Sequence, residues 1–182
     1  MRINKGVEWA VHACAMLAPL GFGRGLSLAA LADYHGVAQP YMAKQMQLLS
    51  KAGIVRTSRG ANGGYALAKA PDSISLWDIK VAIEGSAPAF RCSEIRQQGP
   101  CAIPRDECRA PCPIAAAFMR AETASRDLLR ETRLCNILSD VTSQSSAQHM
   151  TDMLLWYEQN VTVLPEGKLR VSKATAAASY TG

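Results

Sequence analysis

The feature that most constrains this chain is the run 37–69, VAQPYMAKQMQLLSKAGIVRTSRGANGGYALAK. Here a helix-forming segment passes through one glycine into two β-like runs joined by a glycine-rich turn. Pro40 suits the first turn of a helix, where its missing N–H costs nothing. Met42, Met46, Leu49 and Ala52 recur at helical spacing and predict a buried stripe. Tyr41, Lys44, Gln45, Gln47 and Ser50 are expected mainly on the rest of the surface, and Gly53 closes the helix. The runs 54–58 and 65–69 read as strands, with Gly60, Asn62, Gly63 and Gly64 supplying the turn. Upstream, Ser27 is placed to cap a short helix over 28–35, and Gly36 follows its end.

Two helices joined by a tight turn, the second carrying Lys and Gln and followed directly by a hairpin, describe a winged helix-turn-helix. The expected groove-facing set is Gln39, Tyr41, Lys44 and Gln45, with Ser27 and Lys51 near the DNA backbone and Arg56, Arg59 and Asn62 in the wing. Gln pairs bidentately with adenine, Lys reaches guanine or phosphate, and wing arginines suit phosphate or a narrow minor groove. The plain alternative is that some of these are simply solvated polar positions.

Before this unit, 4–18 reads as an amphipathic helix with Val7, Val11, Cys14 and Leu17 or Ala18 on its apolar face, ended by Pro19, Gly21 and Gly23. After it, 74–85 reads as a helix with Leu76, Ile79 and Ile83 inward and Ser75 as a possible cap. From 114 to about 138 strong helix formers run without Pro or Gly, with Ala117, Ala121, Leu128 and Leu138 on one face. A lone helix of that length needs a partner, which predicts a dimer seam. The fold class expected is mainly α with a small β wing. The expected organisation is a winged helix-turn-helix domain over 1–86, a cysteine-rich loop over 87–112, a dimerisation helix over 113–140 and a partly disordered tail over 141–182. In that tail 150–160 reads as a short amphipathic helix.

A net charge of +5 on 182 residues is compatible with a phosphate-binding face but does not establish one. Glu8 and His12 interrupt the only apolar run near the start, so neither a signal peptide nor a membrane span is expected, and the chain reads as cytoplasmic. In that compartment six cysteines point to metal or redox chemistry rather than structural disulfides. Cys92, Cys101, Cys108 and Cys112 fall within 21 residues rich in Pro, Arg and Gly. Glu8 and His12 stand four apart on one helix face, and Cys108 and Cys112 are also four apart, so each pair can present its donors together. Thiolates are the soft ligands that iron–sulfur clusters and zinc both accept. The C-x2-C knuckles usual for structural zinc are missing, which ranks zinc second. Cys92 and Cys101 stay open as ligands or as a disulfide. Trp9 and Trp77 read as core aromatics, and Cys14 and Cys135 as small buried hydrophobes.

On VEWAVHA, YMAKQMQLLSKAGIVRTSRGANGGYALAK, ISLWDIKVAIEG and the cysteine loop running into a long helix, the chain resembles the winged-helix iron–sulfur regulators of the IscR, NsrR and RsrR type over about residues 1–140. The nearest likeness is to the RsrR branch. That resemblance implies a homodimeric transcription factor, not an enzyme, on a two-fold-related operator of double-stranded DNA. It also implies a 2Fe–2S cluster held by Glu8 and His12 of one subunit and Cys108 and Cys112 of the other, with cluster state controlling operator affinity. The cysteine spacing departs from branches that use three Cys. A zinc- or thiol-based sensor of the same fold is the first rival. A dithiol oxidoreductase using Cys108 and Cys112 is the weaker one, since no G-x-G-x-x-G follows a strand.

Overall fold

The side chain of Asn4 starts the first helix by accepting a hydrogen bond from the Gly6 N–H at 2.7 Å, and α1 then runs Lys5–Leu17. Its inner face is Val7, Ala10, Ala13, Cys14 and Leu17, all buried. Three of these are small, so neighbouring helices approach closely. Burial pushes the Cys14 thiol up to about 12, so Cys14 acts as an inert apolar group. The computed structural model describes residues 3–58, 60 and 63–164.

Ser27 caps α2 (Leu28–Tyr34), its hydroxyl accepting from the Ala30 N–H at 3.0 Å. Pro40 lies in the first turn of α3 (Gln39–Lys51), whose Met42, Met46 and Leu49 are fully buried. Ala52 does not join that stripe. It is the residue at which the helix ends, and it is exposed. Gly53, with φ 68, turns the chain into β2 (Val55–Ser58), which pairs antiparallel with β3 (Gly64–Leu67) from Val55↔Leu67 to Ser58↔Gly64. Two further strands complete the sheet: β1 (Arg24–Leu26) and β4 (Val161–Val163), in the order β2-β3-β1-β4. Gly64 is required where β1 crosses β3, since a Cβ there would come within 2.7 Å of the Leu26 carbonyl oxygen.

Ser75 and Asp78 form a reciprocal capping box that opens α4 (Leu76–Glu84). A loop then leads to α5 (Pro113–Glu131), α6 (Leu134–Gln144) and α7 (Ala147–Asn160). One core joins α1, α2, α3, α4, the sheet and the start of α6, with Leu26, Leu31, Met42, Met46, Leu49, Ile74, Ile79 and Leu134 at its centre. No described helix is long and apolar enough to cross a membrane.

The structure departs from the sequence reading at several further points, Trp9 among them, which is half-buried beside the recess of α1 rather than in the core. The run 113–140 is two helices rather than one. Around the break Leu76 N–H donates to Thr132 O at 3.0 Å and Leu134 N–H to Ile74 O at 2.9 Å, while Leu134 is fully buried. This tertiary pairing outweighs local helix propensity. After residue 140, α7 covers the stretch 150–160 as the sequence reading expected, while β4, which that reading lacked, adds to the sheet. The last stretch, 165–182, lies outside the described residues. Trp77 is not a core aromatic. It is half-buried between α4 and α5, with Lys80, Arg126 and Arg130 at 5.0, 5.1 and 5.5 Å from its ring.

The Tyr157 hydroxyl donates to Met16 O at 2.9 Å and fastens α7 to α1. Tyr157→Phe is expected to lower unfolding free energy by about 1 kcal/mol in urea titrations, the typical net worth of such a bond.

Candidate functional site

The helix pair α2–α3 sets out the DNA-facing candidates. Gln39, Tyr41 and Lys44 are exposed on the N-terminal half of α3, and Lys51 is exposed in its last turn. Ser27 is engaged as the α2 cap. Gln45 is turned inward and only 3% exposed. Its Nε2 lies 3.5 Å from Tyr41 O, and its Oε1 sits where a Cβ on Gly6 would meet it at 2.9 Å. The physical reason is helical spacing: 42, 45, 46 and 49 are i, i+3, i+4 and i+7, a single face. Gln45 therefore belongs to the α1–α3 contact and is not presented for reading bases.

In the wing, Arg56 is half-buried on β2 rather than at a free tip. Its guanidinium carbon lies 5.0 Å from the ring of Phe22, which is 76% exposed in the turn before β1. Arg59 and Asn62 lie outside the described residues. Sequence reasoning missed β1 and with it the exposed Arg24, whose Nε donates to Leu20 O at 2.9 Å. The three-residue strand leaves no period long enough to read.

Glu8 and His12 are both exposed on the outer face of α1 and line two adjoining recesses. The larger, about 580 Å³, is walled by Trp9, Tyr34, His35, His149 and Tyr157 with apolar residues of α1, α6 and α7. Trp9, His12 and His35 form a triangle of rings with centroid separations of 6.3, 5.8 and 5.9 Å. The His35 ring meets Leu31 O at 2.7 Å through Nδ1. Burial chiefly, aided by nearby His12, holds the His35 pKa below the ordinary imidazole value against the opposing pull of the Leu31 carbonyl.

The cysteine loop is fastened at its start to α5. Ala89 and Phe90 N–H groups donate to the Glu122 carboxylate at 2.9 and 3.3 Å, and Phe90 stacks on Phe118 at 4.9 Å. Those N–H bonds, led by Ala89, hold the half-buried Glu122 carboxyl below its usual range. All six cysteines are free thiols, so Cys92 and Cys101 form no disulfide in this structure. Both are exposed, whereas Cys108 and Cys112 are half-buried, with Cys112 at the N-cap position of α5. Cys135 lies half-buried on α6. The two candidate ligand pairs do not converge within one chain: among the described residues no group of three or more His, Cys, Asp and Glu gathers around a common point.

A helix pair joined by a tight turn, the second a recognition helix with an exposed polar half, and an antiparallel wing define a winged helix-turn-helix DNA-binding protein. The model of the Rrf2 family, described as an iron-dependent transcriptional regulator, matches residues 3–140. A protein of Aquifex aeolicus (strain VF5) described as an HTH-type transcriptional regulator is 36% identical over 111 residues, 57% of this chain and 75% of its own length. The solved structure of T. potens IscR is 26% identical, covers 83% of this chain and 96% of its own, and superposes with a TM-score of 0.59. CymR, the global cysteine regulator of B. subtilis, shares the fold at a TM-score of 0.59 with 23% identity, over 76% of this chain and 97% of its own. The chain belongs to the Rrf2 family of transcriptional regulators, winged-helix proteins that bind DNA and are not enzymes.

The opposite placements of Lys44 and Gln45 separate two effects. Lys44→Ala is expected to weaken binding to duplex DNA and to reduce the slope of log K against log salt by about 1, as for one lost phosphate contact. Gln45→Ala should lower the urea midpoint and leave that slope unchanged. Fluorescence anisotropy across a salt series and chemical denaturation read the two outcomes.

Proposed function

We propose that this chain is a homodimeric transcription regulator of the RsrR type, whose affinity for a two-fold-related operator is set by a 2Fe–2S cluster shared between subunits. The observation that carries this reading is the separation of donors into two pairs on different parts of one chain. Glu8 and His12 point outward from α1, and Cys108 and Cys112 close the loop that enters α5. Neither pair alone completes a four-ligand site, and a second copy supplies the missing half. Two thiolates and an imidazole are donors that an iron–sulfur centre accepts, and the carboxylate completes a set of four. When bound, the cluster supplies a one-electron store whose charge differs between its two states.

The chain's own residues give that store a route to DNA. The outer face of α1 carries Glu8 and His12, while its inner face packs on the same core as Met42, Met46 and Leu49 of α3. A close-packed core passes displacement on rather than absorbing it, so a tug on Glu8 or His12 shifts the recognition helix. Dimerisation falls to α5, where Ile114, Phe118, Met119 and Leu128 are 54–68% exposed in the single chain. Apolar exposure on that scale along one helix favours a partner helix. Cys92 and Cys101, both exposed, are left outside the ligand set.

Subunit mixing tests the shared site. Glu8→Ala/His12→Ala protein and Cys108→Ala/Cys112→Ala protein are each expected to lose iron after anaerobic purification. Random exchange between them makes mixed dimers with one intact site of two, so after anaerobic reconstitution of the mixture with ferrous iron and sulfide, iron and visible absorption should reach about a quarter of the value of wild type treated alike. No recovery on mixing, with dimers shown to exchange, defeats the shared-site reading; iron retained in both variants defeats the ligand assignment.

A further inference from the structure

Arg96 occupies the centre of the cysteine loop. Its main-chain oxygen accepts from Ile103 N–H at 2.9 Å, its Nε donates to Glu94 Oε2 at 3.0 Å, and its Nη2 donates to Ala110 O at 2.9 Å. Ala110 lies midway between Cys108 and Cys112. The guanidinium is therefore tied to the short arc that carries both sulfurs, in a segment with no long helix or strand of its own. Its side chain is 20% exposed.

A second layer holds Arg96 in place. Glu94 is the one non-glycine residue with positive φ among the described residues, at 50°. Cys92 Sγ accepts from the Glu94 N–H at 3.4 Å and lies 3.7 Å from Glu94 Oε1. Such a left-handed conformation persists only where surrounding contacts enforce it. The Glu94 hydrogen bond foremost keeps the guanidinium firmly protonated. Arginine suits this place because its fork is planar, permanently charged and able to bond in several directions at once.

We propose that Arg96 is the positioning residue of the Cys108–Cys112 pair: it fixes the arc bearing the two sulfurs and sets a permanent positive charge beside them, which raises the reduction potential of a cluster held there. This rests on the reading that Cys108 and Cys112 are cluster ligands. The sign follows from charge. Reduction adds one negative charge, a neighbouring cation favours the reduced form, and its removal lowers the potential.

Arg96→Gln and Arg96→Lys proteins, purified anaerobically beside wild type, test this by iron content and by redox titration of visible absorption. In Arg96→Gln the reduced-to-oxidised ratio at a given potential is expected to fall about three- to tenfold, a downshift of about 30–60 mV for one electron. Arg96→Lys, which keeps the charge, should recover most of that shift. Limited trypsin digestion of the metal-free full-length proteins, followed by mass spectrometry, should show faster cleavage after Arg105 and Arg109 in both variants, since lysine lacks the fork. Loss of iron from a folded Arg96→Gln protein, recovered in Arg96→Lys, also supports the proposal. An unchanged potential in Arg96→Gln overturns it, even if the loop is cut faster, because Arg96 is then structural only. Wild-type protein without iron brings down the cluster reading itself, and is distinguished by the wild-type iron measurement alone.

Discussion

The burial of one face of α1 is the contact on which the rest of the molecule depends. Ala10, Ala13 and Cys14 carry so little volume that α3 and α4 close in on them, and Gln45 is drawn against Gly6 at the same seam. Well-packed interiors transmit displacement because few voids exist to absorb it. The consequence is geometric. A helix whose inner face is locked to the recognition helix bears Glu8, Trp9 and His12 on its outer side. One element thus has a face toward DNA-reading machinery and a face that lines the large recess. Substituting a larger residue at Ala10 or Ala13 would force the helices apart, and both faces would change together.

The C-terminal helix and strand add a second tie between these regions. Trp156 packs edge-on against Tyr34 of α2 at 4.7 Å, Tyr157 bonds to α1, and β4 continues directly into the sheet beside β1. The wall of the large recess next to His12 and the edge of the wing therefore belong to one continuous segment. That segment lies past residue 140, the last residue that the Rrf2 family model matches. β4 also covers what would otherwise be the open edge of β1, a place where unpaired strands invite unwanted pairing. At the other side of the domain, Trp77 and its three cations join α4 to α5, so the DNA-binding unit and the helix proposed for dimerisation are fixed to each other through a polar-aromatic contact rather than a continuous apolar core.

Legibility in the sequence followed the range of the interactions concerned. The caps at Ser27 and Ser75, the buried Met42, Met46 and Leu49, and the turn residues around Gly60 to Gly64 are set within a few residues, and each was readable from spacing and residue type. Gln45 was readable too, since the i, i+3, i+4, i+7 pattern contains it, but its polarity argued for the surface. The break at Thr132 leaves no local mark: neither Pro nor Gly is present, and a backbone pairing with the segment before α4 decides it. Strands β1 and β4 are three residues each, too short to show a period. Arg96 gave no signal at all, because what sets it apart is Ala110, fourteen residues away.

The sequence by itself determined the winged helix-turn-helix, since helix periodicity, capping and glycine turns are local chemistry that any competent environment respects. It also supplied the candidate donor pairs, Glu8 with His12 and Cys108 with Cys112, because spacing along a helix or loop is intrinsic to the chain. The tertiary structure alone decided that these two pairs stand apart in one protomer, that Gln45 faces inward and that a guanidinium grips the arc between the two sulfurs. Those outcomes depend on which distant backbone groups and buried faces compete for one another, and that competition exists only once the chain has folded.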